Sequence, residues 1–335
     1  MKYDAAFFEV FAEEERLLRE YLPEGYSWYF TDDTIQDDGI DELPSAVIST
    51  RTQSKFPKDW LQDLEAIFTR STGYDHVTPL LEKYSHLDSG HLPKYAARAV
   101  AEQILMLALM LFRRVDLQRE SMQTFARDGL TGRELTGKTL TIIGVGNIGG
   151  ELANIGYGLG MNLIGVDIVP RGEMIAKYLL EYQNLIPAIQ SADIISCCLP
   201  LTEQTQGMLD YDALCNAPAS ALYINAARGE ITPPADLVRL LREERLAGAA
   251  LDVYDEEGTL GSVLRGNTSL EAIEDNAVSD SVEATLKLME HPRVIATPHN
   301  AFNTAESTNR KAKQTAENIG HYLSEGRFLT PVPRE

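Results

Sequence analysis

Three glycines in one turn constrain this chain more than any other feature of it. Thr141-Ile-Ile-Gly-Val-Gly-Asn-Ile-Gly-Gly150 sets Gly144, Gly146 and Gly149 in G-x-G-x-x-G spacing. A strand-forming run, Thr139–Ile143, precedes them and a helical one, Asn147–Leu159, follows. Gly144 permits the tight turn, Gly146 lets backbone amides approach a pyrophosphate, and Gly149 lets helix and sheet pack closely. An anion would rest on the helix N-terminus, where free N–H groups and the dipole favour negative charge. Glycine spacing alone is a weak signal. Here a second strand-like run, Asn162–Val166, leads to Asp167, 18 residues past Gly149 (167 − 149). That is close to the ~20 expected of the acid that accepts hydrogen bonds from the adenosine ribose. Its carboxylate would repel a 2′-phosphate, so NAD is the cofactor expected, while the nearby Arg171 keeps NADP open.

The elements around this turn alternate. Thr139–Ile143, Asn162–Val166, Asp193–Cys197, Ala221–Asn225, Gly248–Asp252 and Val294–Ala296 read as strands. Helical stretches separate most of them, including Pro233–Leu246, for which Thr232 is the expected N-cap and Pro233 the first helical residue. Six strands joined by helices predict a doubly wound dinucleotide fold. Upstream, Ser27–Thr31, Ala46–Thr50 and Ala66–Thr72 read as strands, with helices over Phe8–Leu22 and Lys58–Leu64. They predict a second parallel sheet with covering helices. Between the two series, Ala96–Arg119 reads as one helix, apolar almost all round in its first half, and so as a buried hinge between two bodies with the active site in the cleft it spans. A final helix, Thr304–Glu325, would return the chain to the first body, and Gly258–Asn276 reads as a surface loop.

Composition narrows the function classes. Lysine and arginine number 30 against 50 aspartates and glutamates, a net charge of −20. That balance argues against a nucleic-acid or anionic-membrane surface. An anionic substrate would have to be held by a few local cations and amides. Three cysteines, Cys197, Cys198 and Cys215, are an odd number without metal-like spacing, and no Cys/His cluster resembles a zinc site. Free thiols in a reducing compartment are expected, and no metal. Asp4 and Glu9 interrupt any secretory pattern, and the longest apolar run, Ile104–Phe112, is about half the ~20 residues of a membrane helix. The expectation is a soluble, cytoplasmic protein.

Three later segments carry chemistry at strand ends, where open α/β sheets bind ligands. They are Ile224-Asn-Ala-Ala-Arg-Gly-Glu230 with Arg228, Ala249-Ala-Leu-Asp-Val-Tyr-Asp-Glu-Glu257 with its acidic cluster, and Ala296-Thr-Pro-His-Asn-Ala-Phe302 with His299. With Thr69-Arg-Ser-Thr-Gly-Tyr-Asp-His-Val77, Leu92-Pro-Lys-Tyr-Ala-Ala-Arg-Ala-Val-Ala-Glu102 and the glycine turn with Asp167, their order and spacing resemble the D-isomer-specific 2-hydroxyacid dehydrogenases. The resemblance runs from about Ala66 to Phe302.

That resemblance implies hydride transfer between nicotinamide and C2 of a 2-hydroxy or 2-oxo acid. It implies an α/β protein of two domains, each a parallel sheet flanked by helices. A Rossmann domain, residues 99–302, would be inserted in a flavodoxin-like substrate domain, residues 1–98 plus 303–335. Arg228 would bind the substrate carboxylate by paired N–H donors and polarise the C2 oxygen. His299 would be the general acid in reduction and the base in reverse. Glu257 would pair with His299, orient it and favour its charged form, since an imidazole of pKa about 6.5 is largely unprotonated at pH 7. Amides of Ser71-Thr72-Gly73 would hold the carboxylate. The cofactor set would be Gly144, Gly146, Asn147, Ile148, Gly149, Asp167, Pro200, Ala226 and Asp252, the last near the nicotinamide carboxamide. Tyr95 reads either as a pocket residue or as a core or hinge residue. Arg51 reads either as a surface residue or as a partner for a second anionic group on the substrate. Cys198 stands where many relatives carry histidine. Relatives dimerise through the cofactor domain, which implies a homodimer.

The stretch between Glu257 and His299 spans 42 residues (299 − 257), and Phe302 follows His-Asn-Ala. Both features look like the D-lactate and D-2-hydroxyisocaproate group. Arg51 and Ala96-Ala97-Arg98 depart from many lactate enzymes, which more often have Ser-Pro before this helix. D-Lactate/pyruvate is therefore the favoured pair. A 3-phosphoglycerate or hydroxypyruvate/glyoxylate type is the alternative, and a non-catalytic NAD-sensing corepressor a more distant one. No regulatory domain is expected after the final helix.

Overall fold

The computed structural model describes residues 2–334. The chain divides into a unit of residues 1–96 with 302–335 and a unit of residues 97–301. In the first, β1 (Ala5–Phe7), β2 (Trp28–Phe30), β3 (Val47–Thr50), β4 (Ala66–Thr69) and β5 (Asp88–Gly90) form a parallel sheet in the order β2-β1-β3-β4-β5. That is the doubly wound 2-1-3-4-5 order. β1, β3 and β4 are buried throughout, as expected of strands covered on both faces. β5 has a weak sequence for a strand. It is completed by the C-terminal segment, where Gly90 bridges antiparallel to Pro331 and the Val332 N–H donates to the Ser89 carbonyl at 2.8 Å.

A charged cluster lies inside this unit. Glu14 Oε1 accepts from Arg70 Nε at 2.9 Å and from Lys311 Nζ at 2.8 Å, and all three side chains are at most 1% exposed. Burial opposes the Glu14 charge, but the cations of Lys311 and Arg70 outweigh it and hold the carboxyl down at about 2. Glu14 comes from the helix Ala12–Tyr21 and Lys311 from Ala305–Glu325, so the cluster ties the two ends of the chain together.

The second unit has seven parallel strands, β6 (Thr139–Ile143), β7 (Asn162–Val166), β8 (Glu181–Tyr182), β9 (Ile194–Cys197), β10 (Leu222–Asn225), β11 (Gly248–Leu251) and β12 (Val294–Ala296). Their order is β12-β11-β10-β9-β6-β7-β8. Strand order reverses between β6 and β9, the switch point at which such sheets bind ligands. The α/β class and the two helix-flanked parallel sheets match the expectation.

Several local expectations need correction. The helix expected over Phe8–Leu22 begins at Ala12, because Ala5–Phe7 is a central strand and Phe8 is buried beyond it. Lys58–Leu64 contains only a single 3-10 turn, Trp60–Gln62. Ala96–Arg119 is two helices, Ala97–Arg113 and Val115–Ser121, broken where Arg114 takes φ +50°. Gly258–Asn276 is not one loop: it holds the helix Glu257–Leu264 and a 3-10 turn, Leu270–Ala272. The helix after Thr232 starts at Pro234, and the Thr232 hydroxyl bonds instead to Tyr223 Oη at 2.6 Å. No described helix is long and apolar enough to cross a membrane.

Candidate active site

The glycine turn fits a dinucleotide on its own geometry. Gly144 holds φ +94°, and a Cβ there would lie 2.7 Å from the Cys198 carbonyl oxygen. A Cβ on Gly149 would lie 2.1 Å from the Gly144 oxygen, whereas one on Gly146 would meet nothing within 4 Å. Two glycines thus serve close packing, and the third leaves open space beside the N-terminus of the helix Asn147–Gly158. Exposed Asn147 and half-buried Ile148 open that helix. A pyrophosphate cradle needs a helix N-terminus with room beside it.

Asp167 leaves β7 beside the turn. Its Oδ2 accepts from the Val145 N–H at 2.7 Å and its Oδ1 from the Val169 N–H at 3.0 Å. Each oxygen keeps a further lone pair for a ribose hydroxyl. Arg171, which kept NADP open, donates through Nη1 to the carbonyls of Val145 (3.1 Å) and Gly146 (3.2 Å), and pairs through Nη2 with Glu173. Its guanidinium thus braces the carbonyls of the turn, while Asp167 accepts from the Val145 N–H. Burial pushes the Cys198 thiol up to about 11 and the Cys197 thiol to about 12, so both are inert at neutral pH.

Register sets the remaining geometry of this unit. Asn225 pairs with Leu251, and Leu251 with Ala296, so the chain leaves β10, β11 and β12 at one edge of the sheet. Half-buried Ala226 follows β10, and exposed Pro200 follows β9 at the same edge. A Cβ on Gly229 would lie 1.9 Å from the Tyr254 carbonyl carbon. Only glycine therefore lets the Arg228–Gly229 backbone lie against Tyr254–Asp255. Arg228 is half-buried, and its carbonyl accepts from Asn225 Nδ2 at 2.9 Å.

Glu257 opens the helix Glu257–Leu264, after Glu256 at φ +52°. Its two carboxylate oxygens each lie 2.9 Å from His299 Nδ1, and the two side chains are about 30% exposed. A carboxylate only accepts, so Nδ1 carries the hydrogen and Nε2 remains as the proton-exchanging atom. His299 itself holds φ +48°, a left-handed backbone that costs a non-glycine residue about 1–2 kcal/mol.

Asp252 holds that backbone in place. It is fully buried, and its Oδ1 accepts from Thr297 Oγ1 and from the Asn300 N–H at 3.0 Å, while Oδ2 accepts from the Ala301 N–H at 2.8 Å. Tyr254 Oη lies 2.8 Å from the Thr297 carbonyl and 3.1 Å from that of Leu251, joining β11 to β12 just before His299. Burial raises the Asp252 carboxyl above the usual aspartate range, against the hydrogen bonds that it accepts. The sequence reading set Asp252 beside the nicotinamide. In the structure both of its oxygens are engaged by residues 297–301.

In the other unit, the loop Ser71-Thr72-Gly73 has all three carbonyls tied down. Ser71 O accepts from the Leu92 N–H at 3.0 Å, Thr72 O lies 3.1 Å from His91 Nδ1, and Gly73 O accepts from Ser71 Oγ at 2.6 Å. Among the described residues, none accepts a hydrogen bond from the Thr72 or Gly73 N–H. Tyr95 is buried, and its carbonyl accepts from Arg310 Nε at 2.9 Å. Arg51 stacks between the rings of Phe11 and Phe302, 4.6 Å from each centroid. Glu9 shapes its loop, accepting from the N–H groups of Arg51, Gln53 and Ser54 at 3.1 Å each.

Sequence reasoning did not find Thr297, Tyr254, Glu9 or His91 as partners of these residues. Thr297 and Tyr254 lie within the quoted strand-end segments and His91 directly precedes the Leu92-Pro93 motif, whereas Glu9 carried no signal.

The model of the D-isomer specific 2-hydroxyacid dehydrogenase NAD-binding domain matches residues 105–301. A D-lactate dehydrogenase of Streptococcus agalactiae is 31% identical over 299 residues, which cover 88% of this chain and 87% of that protein. An aromatic 2-oxoacid reductase of Clostridium sporogenes is 30% identical over 266 residues, 78% of this chain and 77% of that one. The crystal structure of D-lactate dehydrogenase from Aquifex aeolicus, complexed with NAD and lactic acid, matches with a TM-score of 0.83 at 25% identity, over 99% of this chain and 100% of that one.

Proposed function

The chain belongs to the D-isomer specific 2-hydroxyacid dehydrogenase family, and from that premise we propose that it reduces a small 2-oxo acid of the pyruvate type to the D-2-hydroxy acid with NADH. The observation that carries the chemistry is the His299–Glu257 pair. With Nδ1 committed to the carboxylate, His299 presents Nε2 to give a proton to the C2 oxygen in reduction and to take it in oxidation. Glu257, with both carboxylate oxygens 2.9 Å from Nδ1, fixes the orientation of the ring that delivers the proton. Arg228 grips the substrate carboxylate through its planar pair of donors and polarises the C2 carbonyl. The Thr72 and Gly73 amides, with Ser71, supply further donors to the carboxylate, and Tyr95 borders the pocket. NAD, when bound, supplies or takes the hydride at C2. Gly144, Gly146, Asn147, Ile148 and Gly149 hold its pyrophosphate, Asp167 its ribose, and Pro200, Ala226 and the segment braced by Asp252 its nicotinamide end.

The likeness to the D-lactate dehydrogenase of Streptococcus agalactiae, 31% over 88% of the chain, supports pyruvate and D-lactate as the pair. Steady-state assays with NADH and NADPH over a panel of 2-oxo acids test this. The expected result is preference for NADH and highest kcat/KM on short, uncharged side chains. Tight NADH binding with negligible turnover on every acid would support the corepressor reading. A second reading rests on Arg51. A guanidinium held between two rings suits a phosphate or distal carboxylate, and a panel led by 3-phosphohydroxypyruvate, with that preference lost in Arg51→Leu, would favour it.

We further infer a cytoplasmic homodimer joined through the 97–301 unit. Exposed Leu117, Met122 and Phe125 along one segment of that unit support the dimer, and three free cysteines support a reducing compartment. Light scattering that reports a monomer would overturn the first inference.

A further inference from the structure

We propose that His91 is a positioning residue for substrate binding: its Nδ1–H, donated to the Thr72 carbonyl, aims the Gly73 amide at the substrate carboxylate. The inference rests on the reading that the loop 71–73 receives that carboxylate. A carbonyl only accepts, so the 3.1 Å contact fixes the hydrogen on Nδ1 and hence the tautomer of the ring. The peptide that joins Thr72 to Gly73 is planar and trans, so its C=O and N–H point in opposite directions. Fixing the Thr72 oxygen on His91 therefore fixes where the Gly73 N–H points. That N–H donates to no described residue, and neither does the Thr72 N–H. The Ser71 oxygen is fixed by the Leu92 N–H in the same way, which turns the Thr72 N–H out beside it. Adjacent residues 91 and 92 thus set two successive peptide planes of the loop.

His91 is itself held on three sides. Its N–H donates to the Thr330 carbonyl at 3.0 Å, and its carbonyl accepts from Thr330 Oγ1. Tyr74 packs edge-on against the ring, centroids 4.9 Å apart at 76°. The preceding Gly90 lies so close to Phe328 that a Cβ would sit 2.7 Å from that ring. Burial also lowers the affinity of His91 for a second proton, which keeps the ring neutral. The C-terminal segment thereby fixes the backbone, and the backbone delivers the ring to the loop.

The test uses the full chain with NADH and pyruvate, and three variants. His91→Phe keeps a ring against Tyr74 and deletes the donor. His91→Asn sacrifices the ring but sets Nδ2–H near the position of Nδ1–H. Thr72→Pro removes the Thr72 N–H and probes the loop reading itself. Expected for His91→Phe is a rise in KM of about tenfold, with kcat within about threefold and NADH affinity unchanged, the pattern of lost substrate binding. His91→Asn should restore KM to within about threefold of the parent. Equal KM in His91→Phe and the parent, with Thr72→Pro raising KM, would overturn the inference and leave the loop reading standing. Equal KM in all three variants would overturn the loop reading as well. A matched rise in His91→Phe and His91→Asn would assign His91 to packing and would also overturn the proposal.

Discussion

Replacing Asp252 with asparagine changes one atom in a fully buried side chain, and the structure says what that atom does. The aspartate accepts from Thr297 Oγ1, the Asn300 N–H and the Ala301 N–H. Hydrogen bonds to a charged group contribute about 1.5–3 kcal/mol each. In the asparagine variant the Ala301 N–H would face an amide nitrogen, so that bond is lost outright. The two bonds kept on oxygen become neutral and fall to roughly half strength. The sum is about 3–6 kcal/mol removed from the segment that holds His299 in its left-handed backbone. The strain stored there is about 1–2 kcal/mol, so the balance turns and the segment relaxes. We expect Asp252→Asn to lower kcat for pyruvate reduction by about 10² or more, with NADH affinity within about threefold of the parent. Steady-state kinetics at saturating pyruvate, with NADH affinity from fluorescence titration on the same preparation, separate the two quantities. A tenfold weaker NADH affinity with kcat preserved would refute the reasoning and make Asp252 a cofactor ligand.

Three further outcomes are expected. Glu257→Gln should lower kcat for reduction by about 10–10² with little change in KM, and a kcat within twofold of the parent would remove Glu257 from the chemistry. Asp167→Ala should weaken NADH binding and raise NADPH binding relative to it, and isothermal titration with both nucleotides that finds an unmoved ratio would assign ribose selection to another residue. Glu14→Gln leaves Arg70 and Lys311 buried without a carboxylate and should cost about 3–5 kcal/mol of stability in urea unfolding. In the parent the Glu14 carboxyl is held at about 2 against an ordinary 4.5, so its contribution, about 3 kcal/mol, is present above 4.5 and lost as pH falls toward 2. An acid-unfolding midpoint that does not move in Glu14→Gln would count against the cluster as a source of stability.

What the sequence discloses follows from how local each feature is. The glycine turn, Asp167 and the strands around them are legible because a βαβ unit writes its demands within some thirty residues. β1 was hidden because a three-residue strand, Ala5–Phe7, runs into residues that continue an apolar helical pattern. β5, Asp-Ser-Gly, has almost no strand propensity, and its pairing with β4 and with residues near 331 fixes it from a distance. Gly258, Gly261 and Gly266 made the helix Glu257–Leu264 read as loop. In the site, Glu257 and His299 were found by position within motifs. The engagement of Asp252 by residues 45 to 49 positions downstream was not, since nothing near Asp252 marks which way its carboxylate turns.

The first unit is assembled from both ends of the chain, and that bears on how it is made. Glu14 and Arg70 leave the ribosome long before Lys311, and β5 before residues 330–332 that complete its edge. At about 5–20 residues per second, the 241 residues from Arg70 to Lys311 (311 − 70) take roughly 12–48 s to translate. For that interval Glu14 has only Arg70 of its two cationic partners and the sheet margin stays open, while residues 97–301 emerge as one uninterrupted stretch. Vectorial synthesis thus supplies the nucleotide-binding body before its neighbour is chemically complete, and a nascent chain stalled short of residue 311 should expose its first 96 residues to protease and chaperone alike.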